Sequence, residues 1–112
     1  MKLLRIDDAA LARSTASLFE GVVYTQRLTQ DLSQQLAIGV VSFRDGARNK
    51  LHAHDGDQVL VITEGEGIVA TEAEERRVSA GDVAFIPAGE RHWHGAQPGR
   101  SMTHLSIVAT GR

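Results

Sequence analysis

A chain of 112 residues, 42% hydrophobic and 23% charged, has the size and composition of one folded domain and is too apolar for a disordered segment. Its formal net charge of -2, with both signs scattered, offers no basic face to a phosphate backbone or an anionic bilayer, so neither nucleic acid nor membrane is an expected partner. The absence of cysteine excludes disulfides, thiolate metal sites and cysteine nucleophiles.

Asp7 and Asp8 interrupt the N-terminal apolar run at once, leaving neither a secretory h-region nor a spanning stretch, and a soluble cytoplasmic protein is expected. The same aspartates precede Ala9 to Ala12 and predict one short helical turn. From Gly21 onward the apolar period falls to two, through Val22, Tyr24 and Leu28 and then Leu36, Ile38 and Val40 to Phe43, which are strand compositions. Asp45-Gly46, Asp55-Gly56, Gly65-Glu66-Gly67, Ser79 to Asp82 and Ala88-Gly89 punctuate the rest. Strands at intervals of roughly 8–12 residues with turn signals between them predict an all-β sandwich or barrel. Gln58 to Thr63 and Gly67 to Thr71 read as a hairpin, Glu72 to Arg77 as a solvated one, and Val83 to Ile86 and Leu105 to Ala109 as the closing strands. Residues 1–20 are expected to form an N-terminal extension on a barrel of residues 21–112.

All five histidines lie between residues 52 and 104, clustered at 52, 54, 92, 94 and 104. On a strand, residues i and i+2 share a face, so His52 with His54, and His92 with His94, can each present two imidazoles to one point. Gln58 has the parity of the first pair, whereas Asp55, Asp57 and Trp93 project the other way. Two such pairs facing each other across a barrel would make a metal cage. A His-x-His on a strand alone is as often a polar face.

The full pattern is Gly46, five residues, His52-Ala53-His54, three residues, Gln58, six residues, Gly65, and later Gly81, five residues, Pro87-Ala88-Gly89, two residues, His92. It resembles the two signature motifs of the cupin superfamily at every spacing. The resemblance implies a double-stranded β-helix, or jelly-roll barrel, holding one divalent metal ion on His52, His54, the residue at 58 and His92. The common pattern has glutamate where this chain has Gln58. A neutral carboxamide would leave the full +2 charge on the ion, making it a stronger Lewis acid suited to anionic or easily deprotonated ligands. The alternative is that losing the carboxylate weakens the site enough to leave it empty, although neutral oxygen ligands are ordinary for hard cations.

Arg91-His92-Trp93-His94-Gly95-Ala96 with Met102-Thr103-His104 resembles a group of small bacterial cupins that includes manganese-dependent hydroxynitrile lyases, which also carry glutamine at the fourth ligand position. That resemblance implies that His94 and His104 line a substrate cavity whose wall includes Gly39 and Val41. A neutral imidazole beside a Lewis acid can take a hydroxyl proton. His94 and His104 could equally be supports that orient the ligands, and Val41 a core residue. The expected function is therefore a metal-dependent, lyase-like enzyme acting on a small hydroxylated or carbonyl substrate. Mn is the first choice of ion, and Fe, Ni or Zn would suit the same donors. A dioxygenase and a non-catalytic sensor are the alternatives. A homodimer that covers a sheet edge by pairing N-terminal strands is expected.

Overall fold

In the computed structural model, which describes residues 1–110, the Asp7 carboxylate accepts the Ala9 N–H and caps a single 3-10 turn over Asp8–Ala10, as its composition predicts. The chain then enters β1 (Ala12–Ser14), a strand the sequence reading did not anticipate, which lies antiparallel on β2 (Phe19–Arg27). Six more strands follow: β3 (Leu36–Asn49), β4 (Gln58–Thr71), β5 (Glu75–Ser79), β6 (Val83–Ile86), β7 (His92–Ala96) and β8 (Met102–Ala109). All pairings among the described residues are antiparallel, and the all-β fold with one short N-terminal turn agrees with expectation.

The two longest strands correct the sequence reading. Asp45-Gly46 does not end a strand, and Gly65-Glu66-Gly67 does not turn a hairpin. β3 and β4 each run 14 residues straight through these signals. Asp45 and Gly46 have φ of 51° and 79°, and Gly65 has φ of 78°. Left-handed residues inside a ladder bend a strand without ending it, and glycine adopts that conformation at no steric penalty. At Gly65 glycine is also demanded by space, because a Cβ would lie 2.0 Å from the Ser101 carbonyl oxygen. The bend lets β4 serve two sheets. Its first half pairs with β6 and β8, its second with β5 and β7. β3 likewise passes from β8 to β7. One wall thus runs β2-β3-β8-β4-β6 and the other β3-β7-β4-β5, closing a jelly-roll barrel.

Inward positions alternate along each strand. Val23, Phe43, Leu60, Ile62, Ile86 and Met102 fill the closed end of the barrel, each less than 5% exposed. Nearer the middle the same inward parity delivers polar side chains, with His104 opposite Val41 and Ile62 and with Ser106 opposite Gly39 and Leu60. A core that changes from aliphatic to imidazole along one face is where a site belongs.

Candidate metal centre

His52 and His54 stand on the connection between β3 and β4 and not on a regular strand, which corrects the geometry expected of them. Backbone bonds hold that connection in place. His52 and His92 exchange N–H···O bonds of 2.9 and 2.8 Å, and the Gly89 N–H donates to the His54 carbonyl at 2.8 Å. Asp57, facing away from the imidazoles as its parity predicts, accepts the Ala88 N–H at 2.9 Å and pins the Pro87–Gly89 turn to the same loop. The two stretches that carry the histidines are therefore stitched together before any side chain meets.

One ring nitrogen each from His52, His54 and His92 lies within 4.8 Å of the others. The ring of His52 is 4.9 Å from that of His54 and 4.4 Å from that of His92, centroid to centroid. His92 Nδ1–H donates to the Glu90 carbonyl at 2.8 Å, and His52 Nδ1–H donates to the Lys50 carbonyl. These bonds assign the proton to Nδ1 in both rings and leave Nε2 as a lone pair. Gln58, only 4% exposed, donates its amide N–H to Ser106 Oγ at 3.0 Å, which turns its oxygen to within 3.0 Å of His92 Nε2.

This last contact joins two acceptors with no hydrogen between them. A lone pair held 3.0 Å from another is unfavourable unless something positive is shared. Protonating His92 does not resolve it, because burial and then the neighbouring His52 hold its pKa below the ordinary value against the raising effect of the Glu90 carbonyl. A shared cation does resolve it: ligand atoms about 2.1 Å from an ion and at right angles to one another are about 3 Å apart. His54 Nε2, buried and without any hydrogen-bond partner, is a further free donor. Its pKa is lowered too, chiefly by burial and then by His52 and His92, so it remains a neutral ligand near pH 7. The donor set of three imidazoles and one carboxamide fits a divalent ion.

Behind the cluster sit the other two histidines. The His94 ring stacks 5.7 Å from His92 and lies 4.7 Å from His104. His104 Nε2 and His94 Nδ1 are 3.0 Å apart. Asn49, which sequence reasoning missed, accepts the His94 backbone N–H on Oδ1 at 2.8 Å, and its amide nitrogen lies 3.3 Å from the same ring. His104 Nδ1 is buried with no partner. One proton lies between His104 Nε2 and His94 Nδ1, so one end of the neutral pair, His94 Nε2 or His104 Nδ1, keeps a lone pair. Trp93, of opposite parity, turns away from the cluster, and the Arg48 guanidinium stacks 3.5 Å from its ring centroid.

Gly39 and Val41 both line a cleft of about 510 Å³, together with Leu18, Phe19, Thr25 and Ser106. It abuts the histidines without containing them. Val41 is the cross-strand neighbour of His104, and Ser106 holds Gln58. Ser106, like Asn49, is a site residue that the sequence did not single out, and neither belongs to a motif.

A profile of the cupin domain matches residues 39–108. The chain belongs to the cupin family. Among relatives of this cupin, the (R)-mandelonitrile lyase of Granulicella tundricola is 37% identical over 109 residues, covering 96% of this chain and 83% of that protein. A cupin-like protein from Thermotoga maritima is 30% identical over 88% of this chain and 77% of its own, with a TM-score of 0.83. The polyketide cyclase RemF from Streptomyces resistomycificus, 16% identical over 97% of this chain and 80% of its own, shares the fold at a TM-score of 0.80. No helix among the described residues of this cupin is long and apolar enough to cross a membrane.

Burial has a consequence for acid stability. It pushes the His104 pKa from 6.5 down to about 4 and that of His94 well below 6.5, in His94 with further lowering by His104. In the unfolded chain both rings take up a proton near pH 6.5, whereas in the fold they do not. Stability is therefore complete above about pH 6.5 and is lost as pH falls toward 4, because in that window the unfolded state binds more protons. His104 alone should contribute a loss of about 3 kcal/mol. Urea midpoints of metal-free protein across this range measure it. His104→Gln should flatten the acid limb, and an unchanged limb would show that His104 is not the titrating group.

Proposed function

We propose that this cupin is a metal-dependent lyase that cleaves a small hydroxylated substrate of the cyanohydrin type into a carbonyl compound and cyanide. The observation that carries this reading is the proton-sharing His94–His104 pair set directly behind the His52, His54, Gln58 and His92 cluster. The similarity to a mandelonitrile lyase along nearly the whole chain supports it.

A divalent ion, Mn by preference, held by those four residues supplies positive charge that acidifies a nearby hydroxyl and stabilises the oxyanion left behind. The protein's own groups do the rest. Gln58 contributes no negative charge, so the positive charge is not diminished by the fourth ligand. The His94–His104 pair, kept neutral by burial, accepts the hydroxyl proton. The bond between the hydroxyl carbon and the nitrile carbon then breaks, its electron pair leaves with cyanide, and the proton held by the pair is available to it. Val41 offers an apolar wall of the cleft, as a small aryl or alkyl substituent requires.

Release of cyanide from (R)-mandelonitrile by Mn-loaded protein tests the reading. His94→Ala and His104→Ala are expected to lose turnover by roughly 10²–10⁴-fold, the usual contribution of a general base, with metal content unchanged. Oxygen uptake by Fe-loaded protein would point instead to a dioxygenase. Ligand binding with no turnover on any cyanohydrin would point to a sensor.

A further inference from the structure

We propose that the molecule taken into the cleft carries a carboxylate, and that Arg27 and Ser106 hold it. This rests on the lyase reading for the identity of the reacting hydroxyl and adds the class of molecule to which that hydroxyl belongs. The strand register aligns the two residues. Arg27, Gly39 and Ser106 are successive cross-strand partners on β2, β3 and β8. The next rows with the same parity are Thr25, Val41 and His104, and then Val23, Phe43 and Met102 of the core. All three rows therefore face the barrel interior. An arginine on the outer face of a strand is ordinary, but Arg27 ends an inward column, and both it and Ser106 line the cleft of about 510 Å³. Gly39 puts no side chain between them, and a Cβ there would lie 3.1 Å from the Gln26 carbonyl oxygen.

Both residues have donors to spare. Arg27 forms no ion pair among the described residues, and Asp31, the acidic side chain that lines the cleft, sits on the loop after β2. Ser106 accepts the Gln58 amide N–H at 3.0 Å, and its own hydroxyl proton finds no acceptor among the described residues. A glutamate at position 58 would take that proton. The carboxamide donates instead, which releases the Ser106 O–H to a ligand.

A guanidinium fork and a hydroxyl donor on one inward row match an acceptor-only group with a single negative charge. That group is a carboxylate; a phosphate dianion would call for more cations than the cleft supplies, since Arg27 is its one basic side chain among the described residues. Only the Gln58 carboxamide stands between Ser106 and the histidine cluster. A hydroxyl at the cluster and a carboxylate at Ser106 are then bridged by about three carbons, given ordinary bond lengths and hydrogen-bond distances. The substrate class is a short oxo acid in the form of its cyanohydrin.

Titration calorimetry on the Mn-loaded full chain, with 4-hydroxybutanoate and its neutral isostere 4-hydroxybutanamide, tests the proposal. The acid should bind at least about tenfold more tightly. A divalent ion also attracts carboxylates, so the deciding variant is Arg27→Gln, exposed and expected to keep its metal content and circular dichroism spectrum. It should lose the preference for the acid. Arg27→Lys should retain part of it, as a point charge without the fork, and Arg77→Gln, exposed on β5 outside the cleft, should retain all of it. Equal affinities for acid and amide, binding of neither, or a preference that survives Arg27→Gln would overturn the proposal. Cyanide release separates this from the lyase reading. The cyanohydrin of 4-oxobutanoate should be cleaved with a lower KM than that of butanal. An Arg27-dependent preference with no cyanide from any cyanohydrin would keep the carboxylate site and remove the lyase, whereas cleavage of (R)-mandelonitrile without any preference for the acid would do the reverse.

Discussion

His92→Ala is expected to empty the histidine cluster and to remove cyanide release with it. His92 is wholly buried and shares four contacts that define the site: its backbone pairs with His52, its Nδ1–H reaches Glu90, its Nε2 faces Gln58, and its ring stacks on His94. Loss of an outer support of a ligand typically weakens metal affinity by about 10–100-fold, and loss of a ligand itself should exceed that. Elemental analysis should therefore find close to one ion per wild-type chain and almost none per His92→Ala chain. A stability measurement gives an independent readout. An ion present at about a thousand times its dissociation constant stabilises the fold by about 4 kcal/mol, or some tens of degrees in Tm at roughly 4–8 °C per kcal/mol for a chain of this size. Added Mn should raise the Tm of the wild type and leave that of His92→Ala where it was. Full metal retention by His92→Ala would remove the basis of the proposed chemistry.

The histidine cluster was legible because its spacing is short-range information. His52, His54, Gln58 and His92 are tied to a turn and a loop whose lengths fix where they go, and the pattern survives even though the loop is not the strand that parity suggested. Strand boundaries were less legible. Asp45-Gly46 and Gly65-Glu66-Gly67 carry the residues that tight turns use, and a left-handed residue serves a turn and a bend in a ladder equally well. What decides between them is whether β8 and β7 lie alongside, which no local window contains. β1 was missed for the opposite reason. Ala12-Arg13-Ser14 has no strand preference of its own and is extended because Val23 to Thr25 pair with it. Asn49 and Ser106 bear no motif, and Lys50 and Glu90 act through backbone carbonyls, so side-chain identity could not announce them.

Phe43 joins the barrel's packing to its chemistry, and Phe43→Ala should be the most destabilising single truncation in the core. The ring is fully buried and stands edge-on to Phe19 at 6.0 Å and to His94 at 5.9 Å, with His104 tilted against it at 5.4 Å. Truncation to alanine at a site this enclosed costs about 3–5 kcal/mol, a large share of the roughly 5–15 kcal/mol that holds a domain together. Urea unfolding should show the loss as a lower midpoint at unchanged slope. Phe43→Leu separates packing from catalysis. It keeps most of the volume and should lose only roughly 1–2 kcal/mol, but it removes the rigid ring against which both imidazoles pack. If the ring positions the His94–His104 pair, Phe43→Leu should bind its full complement of metal, keep KM near the wild-type value and lose kcat. A variant with the same moderate loss of stability and an unaltered kcat would show that Phe43 only fills space. The distinction matters because a base displaced by about 1 Å can lose on the order of a hundredfold in rate without any change in its own chemistry.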